Sequence, residues 1–152
     1  MTKIAALLAD MKGKRVYFDT NSIIYFIEQI APFYAVVSPI FDEIGMDHIF
    51  SFTSELTLTE TLIKPMRENN IPLVCDIKDL LLDADLFTLT KTNKKIFMQA
   101  AELGGKHGLR TADAIHFASA IENRCHYLVT NDKKFQSHNG VQVVILNNYL
   151  AA

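Results

Sequence analysis

The chain has 152 residues, of which 49% are hydrophobic and 21% charged, and its formal net charge is −2 with a pI of about 6.2. This composition excludes an intrinsically disordered chain and fits one domain, spanning residues 1–152, that is large enough to bury a core. A weakly acidic chain argues against nucleic-acid binding through one broad basic face, and no apolar run approaches the roughly 20 residues that cross a membrane. We therefore expect a cytoplasmic protein without a membrane partner.

The first half of the chain predicts helices around two short strands. Residues 1–14 carry apolar residues at helical spacing, which predicts a short leader helix packed on the domain. A buried strand over 16–18 and a helix over 23–30 follow. Ser38 and Pro39 suggest the N-cap and first position of a helix that ends near Gly45. A second strand over 48–52 precedes a helix that Thr53 or Ser54 caps and that runs to about residue 69.

The second half continues this alternation. Pro72 opens a helix that extends to about residue 81, and a third strand covers 86–89. A helix from Asn93 to about residue 106 is expected to stop at Gly104 and Gly105, and Thr111 is expected to cap a helix over 112–124. Strands over 127–129 and 141–146 complete the set. Short apolar strands separated by helices predict an α/β fold with a parallel sheet covered on both faces.

The two cysteines, Cys75 and Cys125, lie far apart and match no metal-binding spacing. A disulfide framework or a zinc site would require a closer or repeated pattern. We therefore expect two reduced and mostly buried thiols.

Four acidic residues fall where a parallel sheet places its functional site, at the carboxyl ends of the strands. Asp19 and Asp132 each follow a strand directly, Glu60 lies in the helix after the second strand, and Asp113 lies in the first turn of a helix. Each acid alone is equally typical of a cap or turn. Together they would repel one another by on the order of 1–4 kcal/mol per pair, unless a divalent cation lies among them. Ligation by oxygen alone suits Mg²⁺ or Mn²⁺, which can activate water for hydrolysis of a nucleic-acid phosphodiester.

Glu55 competes with Glu60 as the acid of the helix after the second strand. The two are five residues apart, which turns a helix by about 500°, so they cannot share a face. Glu55 lies in the first turn, where the helix dipole explains an acidic residue. We therefore assign Glu60 to the predicted metal site.

Four segments that contain these acids resemble the sequence blocks typical of the PIN-domain family, and in particular its VapC-type toxin ribonucleases. They occur in the expected order between about Arg15 and Leu146, and they cover 16–21, 54–60, 113–120 and 129–135. The resemblance implies a Rossmann-like α/β/α sandwich with a mostly parallel five-stranded sheet. It also implies that Asp19, Glu60, Asp113 and Asp132 are the catalytic, metal-binding quartet, supported by Asn21 and Thr130.

Several residues near these acids are candidates for contact with RNA. His116 follows Asp113 by three residues on the same helix face, which makes it a candidate for RNA contact or proton transfer. A packed histidine with one hydrogen bond is the favoured alternative, because a metal-activated water needs no histidine base. Arg110, Lys133 and Lys134 flank the acids and suit contact with phosphates. A further group at Lys91, Lys94 and Lys95 is equally typical of an ordinary solvated surface.

The resemblance also implies partners. Small members of this kind are typically toxins that an antitoxin neutralises, and a basic antitoxin segment is expected to cover the acids in a groove beside the early helices. A homodimer is expected through the apolar and aromatic segment between Ala31 and Ile44, although an ordinary core helix explains that composition equally well.

The alternatives are a standalone PIN nuclease in RNA processing and a non-catalytic RNA- or protein-binding module. A phosphoryl-transfer enzyme with an aspartyl nucleophile is disfavoured, because no second acid follows Asp19 two residues later.

Overall fold

Five parallel strands form one sheet in the order β3-β2-β1-β4-β5 in the computed structural model, which describes residues 1–151. The predicted domain boundary at residue 152 thus lies one residue outside the described part of the chain. The strands are β1 (Arg15–Phe18), β2 (Phe50–Ser54), β3 (Phe87–Thr90), β4 (Tyr127–Thr130) and β5 (Gln142–Ile145). The predicted parallel five-stranded sheet is confirmed, and β1 lies at its centre.

Seven α-helices connect and cover the strands. They are α1 (Lys3–Met11), α2 (Thr20–Ile27), α3 (Tyr34–Gly45), α4 (Leu56–Arg67), α5 (Ile71–Lys78), α6 (Lys94–His107) and α7 (Thr111–Glu122). A π-helical turn, Asp79–Asp83, continues α5, and a 3₁₀ turn, Leu146–Tyr149, follows β5. None of the helices between residues 1 and 151 is both long enough and apolar enough to cross a membrane.

Two hydrophobic cores lie on opposite faces of the sheet. Because side chains alternate along a strand, Val16 and Phe18 face one core while Tyr17 faces the other. Helices α1, α2 and α3 contribute to the first core, and α6 and α7 contribute to the second. The predicted leader helix is confirmed, since Leu7 and Met11 of α1 are buried in the first core.

Helix α3 begins at Tyr34, five residues before the first helical position predicted at Pro39, so that prediction is wrong. Pro39 lies inside the helix and removes only the bond to the carbonyl of Ala35, an exposed residue. The earlier start lets Tyr34 stack against Phe26, with ring centroids 6.0 Å apart.

The predicted stop of α6 at Gly104 and Gly105 is also wrong. The helix continues to His107 and ends at Gly108, which adopts φ +67° and donates its N–H to the Gly104 carbonyl. Gly104 serves helix packing instead, because a Cβ there would lie 3.4 Å from the Leu109 carbonyl oxygen and 3.6 Å from Ala114 Cβ.

Two of the predicted caps also differ. Arg110 is the N-cap residue of α7, which begins at Thr111 itself, and Glu55 is the N-cap residue of α4. Ser54 nevertheless accepts a hydrogen bond from the backbone N–H of Leu56 at 3.0 Å. Helix starts marked by a threonine or serine are therefore placed correctly only to within one or two residues.

The segment between Ala31 and Ile44 was expected to carry more apolar surface than one small helix needs. Its rings instead pack within the chain, since Phe41 stacks on Phe26 at 4.0 Å and Phe33 on Tyr25 at 4.7 Å between ring centroids. Its composition is therefore explained by the core. Of the two cysteines, Cys125 is buried as predicted, but Cys75 is exposed on α5, which corrects the expectation of two buried thiols; both are free.

Candidate active site

Asp19 lies at the carboxyl end of β1, where it caps α2. Its Oδ1 accepts hydrogen bonds from the backbone N–H of Ser22 at 3.0 Å and from Ser22 Oγ at 2.7 Å, and its Oδ2 accepts one from Thr130 Oγ1 at 2.5 Å. The side chain is buried, and this burial raises its pKa above the ordinary value, while the bonds from Thr130 and Ser22 act in the opposite direction. Asp19 is thus both the helix cap that one interpretation predicted and a buried, oriented carboxylate.

Glu60 reaches the same place from α4. Burial alone would raise its pKa, but hydrogen bonds to Glu60 Oε1 from His116 Nε2 and Thr20 Oγ1, both at 2.7 Å, outweigh that effect and lower it. Glu60 is therefore held as a carboxylate. Glu55, in contrast, is exposed at the N-cap of α4, so the structure places only Glu60 near Asp19.

Asp113 lies in the first turn of α7 with its side chain partly buried. Its pKa is raised by burial and by the negative charges of Asp132 and Asp19, and is lowered by Arg110, whose Nε lies 3.7 Å from Asp113 Oδ2. The charges of Asp132 and Asp19 therefore reach Asp113 across the carboxyl edge of the sheet.

Asp132 occupies the turn after β4. Its Oδ1 accepts a hydrogen bond from the backbone N–H of Lys134 at 2.9 Å, and its own N–H donates to Thr130 Oγ1 at 3.1 Å. The hydroxyl of Thr130 thus joins Asp132 to Asp19, and its supporting role stays a prediction.

A cleft of about 140 Å³ opens between α2, α4 and α7. It is lined by three of the four predicted acids together with their polar neighbours, namely Asp19, Thr20, Asn21, Ile24, Glu60, Asp113 and His116. Asn21 is exposed at this cleft. Asp132 is not one of the lining residues, but its negative charge raises the pKa of Asp113.

The donor chemistry of the cleft fits a hard divalent cation, because its acidic ligands offer only oxygen and two of them carry an electrostatic cost that a cation would relieve. Among residues 1–151, no three His, Cys, Asp or Glu side chains meet closely enough to hold one ion as they stand. A cation shared by three of these acids would therefore require at least one of their side chains to move closer to the others.

His116 does not face solvent, so its burial favours the packed histidine over the RNA contact. The residue is 1% exposed, and both ring nitrogens have partners within the protein: Nδ1 lies 2.7 Å from Tyr17 Oη, and Nε2 lies 2.7 Å from Glu60 Oε1. The packed histidine expected as the alternative is closer to the structure, although it makes more than one hydrogen bond.

The basic candidates lie at the surface. Arg110, Lys133 and Lys134 are exposed, and each neighbours one of the acids along the chain or in space. The group at Lys91, Lys94 and Lys95 is exposed as well, with Lys95 Nζ 3.1 Å from Glu122 Oε1.

Three residues of the site were not predicted. Ser22 holds the buried carboxylate of Asp19, Thr20 holds the half-buried carboxylate of Glu60, and Tyr17 holds the histidine. The one available signal was Tyr17, since a tyrosine in a buried strand needs a partner for its hydroxyl. Nothing in their spacing distinguishes Thr20 and Ser22 from ordinary helix-start residues.

Comparisons with known proteins agree with this fold. A family model of the PIN domain matches residues 16–141, whereas a comparison with curated protein sequences found no match. The fold is similar to VapBC2 from Rickettsia felis bound to a DNA fragment from its promoter, with a TM-score of 0.66 and 17% identity over 86% of this chain and 98% of that chain.

Two further structures share the fold. DNA-bound VapBC from Salmonella typhimurium has a TM-score of 0.62 and 16% identity, with 88% of this chain and 98% of that chain covered. A toxin-antitoxin complex from Klebsiella pneumoniae has a TM-score of 0.60 and 18% identity, with coverages of 83% and 94%. At such identities these likenesses show the fold alone. Because the family model covers most of the chain, this protein belongs to the PIN domain family, as its motifs predicted.

Proposed function

We propose that this protein is a Mg²⁺- or Mn²⁺-dependent endoribonuclease and the toxin of a toxin–antitoxin pair. The observation that carries the proposal is the convergence of Asp19, Glu60 and Asp113 on one cleft, with Asp132 close enough to raise the pKa of Asp113. A protein maintains such repulsion at a cost in stability, which a bound cation would offset. The solved structures of similar fold, described as VapBC and toxin-antitoxin complexes, support the toxin assignment.

The proposed metal ligands are Asp19, Glu60, Asp113 and Asp132. When bound, the ion supplies Lewis acidity and a water that is acidic enough to attack a phosphodiester at neutral pH. Ser22 and Thr130 orient Asp19, and Thr20 orients Glu60, so little reorganisation of these two carboxylates is needed.

The chain's own residues also define how RNA would approach. The cleft, at about 140 Å³, is small compared with the roughly 300–1,000 Å³ of small-molecule pockets, which suits a backbone phosphate better than a whole nucleotide. The exposed cations Arg110, Lys133 and Lys134 would attract neighbouring phosphates and offset the acidic net charge of the chain.

The proposed antitoxin would cover the acids from an adjoining groove. A cavity of about 150 Å³ lies between α2, α4 and α5 and is lined by Glu60. Its apolar lining includes Ile24, Ile27 and Ile77. Glu28 and Glu68 also line it, and with Glu60 they outnumber the one basic lining residue, Lys64, so an apolar segment carrying arginine or lysine is the expected occupant. Co-expression with the neighbouring small reading frame should give a complex in which alanine substitution of those basic residues restores RNA cleavage and growth arrest.

A homodimer remains part of the proposal, but its expected surface changes. Since the segment from Ala31 to Ile44 packs mainly in the core, the exposed apolar side chains of Phe97 and Met98 on α6 are the better candidates for contact with a second copy. Light scattering should show a dimer at tens of micromolar, and a strict monomer there would contradict it.

Cleavage assays on purified RNA test the enzymatic assignment. Asp19→Asn, Glu60→Gln, Asp113→Asn and Asp132→Asn should each reduce metal-dependent cleavage by about 100-fold, because each removes a ligand charge while keeping the side-chain shape. Glu55→Gln is the matched control, since it makes the same chemical change at an exposed position on α4 and should keep wild-type activity.

Two results would contradict this assignment. An active Glu60→Gln together with an inactive Glu55→Gln would reverse the choice of the second acid. RNA binding by the wild type without cleavage, in both Mg²⁺ and Mn²⁺, would identify a non-catalytic binding module instead. Cleavage without growth arrest, and without a neighbouring antitoxin gene, would favour a standalone nuclease in RNA processing.

A further inference from the structure

Beneath the cleft, a row of three side chains connects three elements of the fold. Tyr17 Oη on β1 lies 2.7 Å from His116 Nδ1 on α7, and His116 Nε2 lies 2.7 Å from Glu60 Oε1 on α4. Tyr17 is fully buried and His116 is 1% exposed, so the contact between these two side chains is shielded from water, whereas Glu60 at the other end of the row is half-buried. The row therefore joins the second hydrophobic core to one of the cleft carboxylates.

The chemistry of the groups gives the row a direction. A buried phenol must place its hydrogen on an acceptor, and His116 Nδ1 is the acceptor at hydrogen-bond distance. An imidazole that accepts at Nδ1 carries its hydrogen on Nε2, and that hydrogen then points to Glu60 Oε1. Thr20 Oγ1 donates to the same oxygen at 2.7 Å.

We propose that His116, with Tyr17 behind it, is a positioning residue that holds Glu60 by its Oε1 and so fixes the orientation in which this carboxylate would bind a cation, an inference that rests on the proposed metal site. His116 does not touch the substrate in this arrangement, because its ring is buried and both nitrogens are occupied. The role resembles that of groups which fix a ligand's orientation from behind, whose loss typically weakens metal affinity by about 10–100-fold.

Mn²⁺ affinity, measured by isothermal titration calorimetry on the full chain, provides a readout other than RNA cleavage. His116→Leu removes both hydrogen bonds and should weaken Mn²⁺ binding by about 10–100-fold. His116→Gln retains an amide donor that can reach Glu60 and should recover part of that loss. Tyr17→Phe keeps the ring but removes the hydrogen bond to His116 Nδ1. It should weaken Mn²⁺ binding less than His116→Leu does.

Two matched controls carry the same chemical changes elsewhere. His48 Nδ1 lies 2.7 Å from Glu43 Oε2, so His48→Leu breaks an equally short histidine–glutamate contact at an exposed position. Tyr127→Phe removes a phenol hydroxyl from β4. Tyr127 packs against the first core, on the face of the sheet opposite Tyr17. Both controls should bind Mn²⁺ as the wild type does.

A double-mutant cycle separates positioning from general loosening of the core. If Tyr17 acts through His116, then Tyr17→Phe should change the Mn²⁺ affinity of the wild type but not that of His116→Leu. Should His116→Leu fail to fold in a metal-free melt, the same comparison is made in His116→Gln. Additive effects of the two substitutions on Mn²⁺ affinity would mean that Tyr17 does not act through His116, which would overturn this part of the proposal.

The outcomes distinguish this inference from the proposed function. If the wild type binds Mn²⁺ and Asp19→Asn does not, yet His116→Leu and Tyr17→Phe bind normally, only the positioning role is overturned. If the wild type binds no Mn²⁺, both proposals are overturned. Long-range ¹H–¹⁵N NMR supplies a second readout: the His116 proton should lie on Nε2 in the wild type, and a proton on Nδ1 would overturn the direction of the row.

Discussion

The carboxylate of Asp113 destabilises the folded protein when no cation is present. Burial and the charges of Asp132 and Asp19 raise its pKa in the folded state, so the folded protein holds this proton more tightly than the unfolded chain does. Stability therefore falls as pH rises through the window that begins near the ordinary carboxyl pKa of about 4. The cost is therefore greater at pH 7 than near pH 4.

Asp113→Asn should consequently stabilise the metal-free protein at pH 7. A like-charge contact is worth on the order of 1 kcal/mol in a water-like dielectric, which corresponds to about 2–4 °C in Tm for a domain of this size. The gain should shrink as pH is lowered towards about 4. Thermal melts in a chelator measure both effects, with the exposed Glu55→Gln as control; a lower Tm for Asp113→Asn at pH 7 would contradict the argument.

At the residue scale, the acids could be predicted from sequence but their supporting contacts could not. Strand ends of a parallel sheet converge, which places Asp19 and Asp132 near each other once the strands are assigned. The bond from His116 to Glu60 depends on how α7 and α4 pack across β1, and no local pattern encodes that packing. For the same reason the sequence suggested an RNA contact at a histidine that is buried.

At the element scale, α6 offers a comparison among its glycines. Gly105 has an ordinary helical conformation with open space around its Cα, whereas Gly108 adopts φ +67°. Gly105→Ala should raise the free energy of unfolding by about 0.5–1 kcal/mol, because alanine loses less backbone entropy in a helix. Gly108→Ala should lower it by about 1–2 kcal/mol, because a Cβ disfavours the left-handed conformation. Urea denaturation measures both changes, and equal effects at the two positions would contradict the assigned end of the helix.

The helix boundaries show where sequence patterns lose accuracy. Pairs such as Ser38–Pro39 and Gly104–Gly105 are typical of helix ends, yet tertiary packing extended a helix past each of them. The stacking of Phe41 on Phe26 and the close approach of Gly104 to Ala114 are contacts between elements, which a local pattern does not contain. Strand positions were predicted to within about two residues, because buried apolar runs depend less on such partners.

At the scale of the whole molecule, a cation that binds only the folded state should stabilise all of it. With Mn²⁺ at 100 times its dissociation constant, the gain is about 2.7 kcal/mol, or roughly 5–10 °C in Tm. Thermal melts with and without Mn²⁺ measure this gain. Asp19→Asn should lose most of the shift and Glu55→Gln should retain it, whereas an unchanged wild-type Tm would remove the support for a metal site.

The central place of β1 has a consequence for how the protein is made. Its two neighbours, β2 and β4, come from opposite halves of the chain, so Asp19 and Glu60 precede the exposed residues 91–93 while Asp113 and Asp132 follow them. A nascent chain lacks the full set of acids until residue 132 of 152 has been synthesised. A chain divided between residues 91 and 92 would likewise place two acids on each fragment. Nuclease activity regained on mixing the fragments would report that β1 and β4 had paired to form the complete sheet.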